Sequence, residues 1–292
     1  MFSMVIAGMV LKKIGLISPS GQSSITDLVI YFILPCNIIK SFMVEFKSDI
    51  LVTFIGVLAI SILIQLLCTI LGHILFRKYP ISKKKCLQYG TVCSNAGFLG
   101  NPIAEGVFGT MGLTLASVYL IPQRVVMWSA GISMFTESPD KKTLFKKVIT
   151  HPCIIACMVG ILIMLTNLKL PSFLTMAIQT ASNCNTALSM MVIGMILADI
   201  KIKEMYDKSI VYFTILRLVV IPILIYIPCY LLKVDSLVTG VCVLLAAMPA
   251  GASTSILASK YNGDAAFATN MVIFSTLASL ITAPIWSVIL LY

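Results

Sequence analysis

Long apolar runs, separated by short basic or polar segments, fill the chain from end to end. They stay continuous over roughly 20 residues, which is the length that a helix needs to cross a hydrocarbon core of about 30 Å. Membrane β-barrels instead show alternating strands of about ten residues. The pattern predicts an all-α polytopic membrane protein with ten transmembrane helices, over residues 1–17, 25–43, 50–76, 86–108, 112–135, 152–167, 173–198, 209–232, 236–259 and 265–291.

Two of these runs, the fourth in each half of the chain, are interrupted. Residues 94–102 read SNAGFLGNP and residues 246–254 read AAMPAGAST. Proline removes a backbone donor and clashes with the preceding turn, and glycine weakens a helix further. Freed backbone groups cost several kcal/mol in hydrocarbon unless a polar cavity or protein satisfies them. Matching breaks in two halves therefore predict a transporter's binding site near the midplane; the helix-breaking residues are Gly97, Gly100, Pro102, Pro249 and Gly251.

The segment 137–151 divides the chain into a first five-helix repeat, 1–136, and a second, 152–292. Because five is odd, the second repeat inserts upside down relative to the first, which makes a 5+5 inverted repeat with two crossing broken helices, spans 4 and 9. The first run is unusual, since Lys12 and Lys13 shorten its apolar part. It lacks the charged start and cleavage site of a secretory signal, and we expect the chain to begin partway into its first helix.

Charge sets the expected orientation. Only 11% of the residues are charged against 59% hydrophobic, too few to cover a soluble domain of this size. With the N-terminus outside, the loops on the inner side hold fifteen basic residues and the outer loops hold four. This asymmetry predicts a multi-pass protein of the cell (plasma) membrane with cytoplasmic basic loops and both termini outside. It also accounts for the net charge of +10 without a nucleic-acid partner.

The chain offers little for catalysis. Its nine cysteines lie mostly inside apolar runs, and the nearest approach to a ligand cluster is His151 with Cys153 and Cys157, where ordinary packing at a helix start is the favoured interpretation. An intramembrane enzyme needs a nucleophile with its base, or a carboxylate pair, at membrane depth. Both histidines, His73 and His151, lie near the ends of runs. We therefore predict no enzyme, no cofactor and no metal.

The breaks suggest where a substrate binds. Asn101 before Pro102 is typical of an N-cap followed by proline at the first helical position. A half-helix beginning there would point its positive end at the membrane centre, which favours an anion. A similar end follows Pro249. Alternatively, the small polar residues only satisfy backbone freed by the breaks. The candidate substrate-binding residues are Asn95, Asn101, Ser253, Thr254, Arg124, Asn37 and Asn185.

Two arginines lie within apolar runs. Arg124 is near the middle of the fifth, where a charge costs about 2.5–3.5 kcal/mol and needs a partner. It is either a counter-charge for an acidic substrate or is bonded to helix-end carbonyls or to Glu105, the only acid well inside a run. Arg217 lies nearer the inner side, and we expect its side chain to reach the interface.

The segment 95–102, NAGFLGNP, resembles the "N-x-G-F-x-G-x-P" signature of the auxin efflux carrier family, which includes bacterial malate-permease-like members. Residues 248–258, followed by the YNGD at 261–264, are similar to its ninth-span motif, STLAS at 275–279 with Pro284 fits its last span, and Leu34-Pro35 matches its second. A departure is Ala187, where the family pattern suggests proline.

The resemblance implies ten spans as an inverted repeat with two crossing helices, a scaffold part that forms a homodimer, and transport of organic anions. It places Asn95 near the substrate and makes Pro102 and Pro249 the crossing prolines. The prediction is a secondary transporter that moves a small carboxylate across the lipid bilayer by alternating access. The alternative is a membrane channel or a non-transporting membrane scaffold.

Overall fold

The computed structural model describes residues 2–43, 48–128, 131, 134–135, 149–198, 207–261 and 263–291. Over these residues the fold is helical, with one isolated β-bridge. Most of the predicted linker, 137–151, lies outside the described residues. The helices are α1 (Phe2–Lys13), α2 (Pro19–Ser41), α3 (Ser48–Leu75), α4 (Ile81–Val92), α5 (Asn101–Trp128), α6 (Pro152–Thr166), α7 (Ser172–Asn183), α8 (Asn185–Ala198), α9 (Lys208–Leu231), α10 (Ser236–Ala246), α11 (Ser253–Lys260) and α12 (Ala265–Leu291).

Several of these helices are membrane-length. Six helical stretches in the described part are long and apolar enough to cross a bilayer, and α6 and α10 are shorter apolar helices. The stretch 96–127 is two helices joined at Gly109, whose φ of 67° is accessible to glycine at little cost. The chain is thus a multi-pass helical membrane protein, as the sequence predicts.

Three π-helical turns occur in the described residues, and each lies just before a proline. They are Val29–Ile33 before Pro35, Ala96–Gly100 before Pro102, and Leu216–Val220 before Pro222. A wider turn moves the carbonyl away from the pyrrolidine ring and lets the preceding residue bond five residues back. For this reason α2 runs on through Pro35 without interruption, as one stretch over Pro19–Ser41.

The helices form two bundles. The small bundle contains α1, α2, α6, α7 and α8, in which α1 packs along α8 and α2 packs against α6 and α7. The large bundle contains α3, α4, α5, α9, α10, α11 and α12. The two bundles meet where α8 and α2 touch α5, where α8 touches α12, and where α6 touches α5. Both sequence breaks lie in the large bundle.

Candidate functional site

The two breaks meet and pair with each other. The Asn95 amide donates to the Pro249 carbonyl at 2.7 Å, and the Gly251 amide donates to the Cys93 carbonyl at 3.0 Å. These two bonds form an antiparallel bridge between Ser94 and Ala250. Each unwound segment thus satisfies part of the backbone that the other has freed, as helix breaks inside a membrane protein require.

Four helix ends converge on this crossing. The helices α4 and α10 end at it with their C-termini, while the turn at 96–100 and α11 begin at it with their N-termini. One sequence expectation here is wrong, because Asn101 is not an N-cap. Its φ of −56° and ψ of −51° are helical, and the helix begins earlier, at Ala96 after Asn95. The π turn carries the helix across Pro102, so proline does not mark its start.

Side chains from neighbouring helices also hold the crossing. Gln123 of α5 donates from Nε2 to the Ser94 carbonyl at 2.7 Å, and the Ser94 hydroxyl lies 3.3 Å from Gln123 Oε1. On the other strand of the bridge, the Ala250 amide donates to Ser275 Oγ of α12 at 3.3 Å. Nothing in the sequence pattern singles out Gln123 or Ser275 for this role, because their partners lie 29 and 25 residues away along the chain.

Arg217 does not reach the interface, contrary to the sequence expectation. It is only 1% exposed and donates from Nε to the Met248 carbonyl at 3.1 Å and from Nη1 to the Thr91 carbonyl at 3.0 Å. These carbonyls lie at the C-terminal ends of α10 and α4. Residues 216–218 of the π turn in α9 are buried, so the Arg217 side chain starts inside the protein and points towards these carbonyls.

Arg124 lies on the other side of the same break. It is 5% exposed, and its Nη2 lies 3.9 Å from the position that a Cβ on Gly97 would take, beside the first turn of the half-helix. Its Nη1 is buried and has no hydrogen-bond partner within the described part of the chain. Across the bundle interface it neighbours the Cys157 thiol of α6.

His151, which lies near Arg124, adds no second positive charge at neutral pH. His151 caps α6 by accepting the Cys153 amide at 3.2 Å. Burial, with a smaller contribution from the Arg124 charge, lowers the pKa of His151 to about 4. The imidazole is therefore neutral at pH 7. The electropositive character of this place comes from the guanidinium and from the N-terminal turns of two helices, at Ala96 and Pro152.

The remaining candidates fall into two groups. Ser253 and Thr254 open α11 at the crossing, where Thr254 is fully buried and its hydroxyl has no partner among the described residues. Asn101, also fully buried, likewise has no side-chain partner there. The crossing and the first turns after it therefore present free polar groups, which ordinary packing would not leave unpaired.

Asn37 and Asn185 form a separate cluster where the bundles meet. Asn185 donates to Asn37 Oδ1 at 3.2 Å, and Asn37 Nδ2 lies 2.9 Å from Ser182 Oγ and 3.4 Å from Glu105 Oε2. Asn37, Ser182 and Asn185 belong to the small bundle, while Glu105 belongs to α5, one turn after Asn101. The structure thus joins spans two and seven through these residues and links them to the half-helix that leaves the crossing.

A cavity of about 200 Å³ lies between the bundles on the same half-helix. Its lining is mostly apolar and comes from α5, α8 and α12: Ile103, Gly106, Val107, Met190, Ala283, Pro284 and Ser287. The cavity lies beyond the crossing, and none of its lining residues is one of the polar groups described above. Those groups are therefore enclosed by protein.

Crossed broken helices inside a polytopic helical fold are typical of membrane transporters. The family model described as "Membrane transport protein", that of the auxin efflux carrier family, matches residues 1–287, and the chain belongs to this family. It is therefore a transporter-family protein and not an enzyme.

Relatives of the chain are also named transporters. The chain is similar to an "Uncharacterized transporter" of Methanothermobacter thermautotrophicus, with 25% identity covering 98% of this chain and 95% of the relative. It is also similar to "Uncharacterized transporter MJ1031" of Methanocaldococcus jannaschii, with 25% identity over 99% and 96%. "Uncharacterized transporter YfdV" of Escherichia coli is 23% identical over 65% of this chain and 63% of its own.

Proposed function

We propose that the protein is a secondary transporter of a small organic anion, whose carboxylate binds between Arg124 and the first turn of the half-helix at Ala96. The observation that carries this proposal is the buried Arg124 Nη1, which has no hydrogen-bond partner within the described residues. A buried guanidinium donor is costly when unpaired, and a carboxylate matches it with charge and geometry.

The half-helix supplies the second part of the site. The first amides of a helix have no intrahelical partners, and they carry about half a positive charge together with the helix dipole. Gly97 is in this first turn, and Arg124 Nη2 lies 3.9 Å from the position that a Cβ on it would take, which puts the guanidinium beside these amides. Asn95, Asn101, Ser253 and Thr254 then provide polar contacts for the rest of the solute, and Asn37 with Asn185 lines the small-bundle side.

Movement of one bundle against the other would give alternating access. The Arg124 site lies between α5 of the large bundle and α6 of the small bundle, so such a movement would change its exposure. Ten spans in a 5+5 inverted repeat fit this proposal: with the boundary at 137–151, each half contributes its first helices to the small bundle and its later helices to the large one. The charge asymmetry of the loops supports both termini outside and the basic loops in the cytoplasm, for a protein of the plasma membrane.

A homodimer completes the proposal. Gln179 and Thr180 are exposed on α7, within a membrane-length stretch. Polar side chains facing lipid are unfavourable, and a second copy of the small bundle would cover them. The mass of the detergent-solubilised protein in solution tests this part separately.

Binding is tested with purified protein heated in the presence of mono- and dicarboxylates. A ligand that binds only the folded state at 100 times its Kd stabilises it by about 2.7 kcal/mol, and the melting temperature rises. We expect such a rise with at least one acid. Arg124→Gln should abolish it, while Lys169→Gln, which removes an exposed cation, should leave it unchanged.

Transport is tested in proteoliposomes loaded with the acid that binds. A carrier gives saturable uptake that increases when unlabelled acid is present on the opposite side, whereas a channel gives continuous conductance. Binding that persists in Arg124→Gln would contradict the proposed site. Sustained conductance without exchange would favour the channel, and no response to any acid would contradict the anion substrate.

A further inference from the structure

Arg217 is a buried cation at the crossing, held by two backbone carbonyls and one cysteine sulfur. It is the largest fully buried side chain among the described residues. Its contacts are the Met248 carbonyl at 3.1 Å, the Thr91 carbonyl at 3.0 Å and the Cys68 sulfur at 3.6 Å. The proposed binding site on the other side of the break does not include it.

The two carbonyls show that the Arg217 guanidinium lies at the C-terminal ends of two helices. Thr91 lies in the last turn of α4, and Met248 follows the end of α10. The C-terminal end of a helix carries about half a negative charge and has carbonyls without partners. At this crossing two such ends lie next to each other, so they repel, and their free carbonyls are buried.

The partial negative charges of the two C-terminal ends also weaken the attraction of the crossing for an anion. Two helix N-termini, at Ala96 and Ser253, meet two helix C-termini within one bridge, and the four partial charges together cancel. With only the backbone present, the crossing would have little preference for an anion. Adding the charge of one guanidinium at the C-terminal ends leaves a net excess of about one positive charge around the N-terminal ends.

Arginine suits this task better than lysine. Its planar guanidinium donates in fixed directions, so one side chain can bond two carbonyls from two different segments. A lysine ammonium is a more compact charge that is strongly hydrated. Holding Thr91 and Met248 together also fixes the spacing of the segments whose next residues form the Ser94–Ala250 bridge.

We propose that Arg217 is a positioning residue for anion binding, which joins the C-terminal ends of the two broken helices and neutralises them so that only their N-terminal ends act on the substrate. This inference rests on the proposed function. Arg217 itself does not touch the substrate. Its role is to set the register and the electrostatic potential of the crossing.

The experiment uses purified Arg217→Ala, which leaves a space that free guanidinium ion can enter. We measure the melting temperature with and without the carboxylate that stabilises the wild type, at 0 and 20 mM guanidinium chloride. We expect carboxylate affinity to fall at least tenfold in the variant and to recover with guanidinium. Guanidinium should not improve affinity in the wild type, and sodium chloride at the same ionic strength should not rescue the variant.

Arg217→Lys provides the second variant, which keeps the charge and decides the question if Arg217→Ala cannot be purified. We expect its carboxylate affinity to fall at least tenfold, because one ammonium does not replace the forked contact. Wild-type affinity in either variant, or a loss in Arg217→Ala that guanidinium does not reverse, would overturn the proposal.

Failure of the proposed function gives a different result. If no carboxylate stabilises the wild type, the anion substrate is wrong. Guanidinium alone would then still raise the melting temperature of Arg217→Ala above that of the untreated variant if the two-carbonyl contact holds. Absence of this rise would overturn the contact itself.

Discussion

Proline acts in this protein through the turn before it. In each of the three π turns of the described chain, the last amide before the proline bonds five residues back, from Leu34 to Val29, from Asn101 to Ala96 and from Ile221 to Leu216. The proline that follows has no amide to donate, and the wider turn avoids the clash between its ring and the preceding carbonyl. At Pro102 this geometry also sets the direction in which Gly97 faces Arg124.

Replacing Pro102 should therefore damage the site while sparing the fold. Pro102→Ala restores an amide and permits a regular α turn, which rotates residues 96–100 relative to α5 and moves Gly97 away from Arg124. We expect carboxylate affinity, measured by thermal shift, to fall at least tenfold with no loss of melting temperature. Pro228→Ala, in an exposed helical position of α9, is the matched control. Wild-type affinity in Pro102→Ala would show that the π turn has no part in binding.

A second residue-scale prediction concerns pH. Asp207 caps α9 through the Ser209 amide at 2.8 Å and pairs with Lys83 at 2.7 Å. The hydrogen bond from Lys83, with that from Ser209, lowers the pKa of Asp207 to about 2. Because the pKa is depressed by folding, the pair stabilises fully above the unfolded pKa of about 3.9, and its contribution is lost as pH falls towards 2.

Asp207→Asn isolates this ion pair, because asparagine is also a good N-cap. The pair is about one-third exposed, so we expect a loss below about 1 kcal/mol at pH 7. The difference in melting temperature between wild type and variant should shrink between pH 5 and pH 3. The double variant Lys83→Gln/Asp207→Asn should melt like Lys83→Gln alone. A difference that stays constant down to pH 3 would exclude the ion pair as its cause.

At the scale of helices, glycine permits the closest contact in the small bundle. A Cβ on Gly194 of α8 would lie 1.9 Å from the Val5 carbonyl of α1, and one on Gly8 would lie 2.1 Å from the Met191 carbonyl. Small residues at such contacts let helix backbones approach in membranes, where packing rather than water exclusion drives association. The α1–α8 pair therefore depends on two glycines that face each other's backbone.

Gly194→Val should separate these helices. The obstacle is backbone and cannot move aside like a flexible side chain, so we expect little folded protein, measured as the monodisperse fraction after detergent extraction. Gly56→Ala on α3 is the control, since its nearest neighbour would be a Val238 methyl at 4.0 Å. Normal yield and melting temperature for Gly194→Val would mean that α1 does not pack in this way.

The positions of most helices could be predicted from the sequence, because the length of an apolar run and the proline and glycine residues that interrupt it are local features. The interruptions at 94–102 and 246–254 contain the two segments that pair in the structure. The start of the half-helix was not predictable from Asn101-Pro102, since the same dipeptide suits a cap and a position after a π turn. The role of Arg217 was also hidden, because the sequence gives its depth but not the direction of its side chain relative to Thr91 and Met248.

At the scale of the molecule, function depends on how the bundles are joined. The contact from Asn37 to Glu105 at 3.4 Å crosses from the small bundle to the large one, whereas that from Asn37 to Ser182 at 2.9 Å stays within the small bundle. If the bundles move against each other, a covalent link across the first contact should stop transport and a link across the second should not.

Cysteine pairs test this movement directly, in a background where Cys36 and Cys184, the accessible native thiols nearby, are serine. We expect a short bifunctional methanethiosulfonate, which joins the two thiols through disulfide bonds, to abolish uptake by Asn37→Cys/Glu105→Cys, because the link holds both bundles in one arrangement. Reduction cleaves the disulfides and should restore uptake. Asn37→Cys/Ser182→Cys carries the same first substitution and joins residues of one bundle, so its uptake should survive cross-linking. Both pairs are compared before and after reagent, which removes the effect of the substitutions themselves. Uptake that continues in the cross-linked Asn37–Glu105 pair would mean that substrate crosses without relative motion of the bundles, and alternating access of this kind would have to be given up.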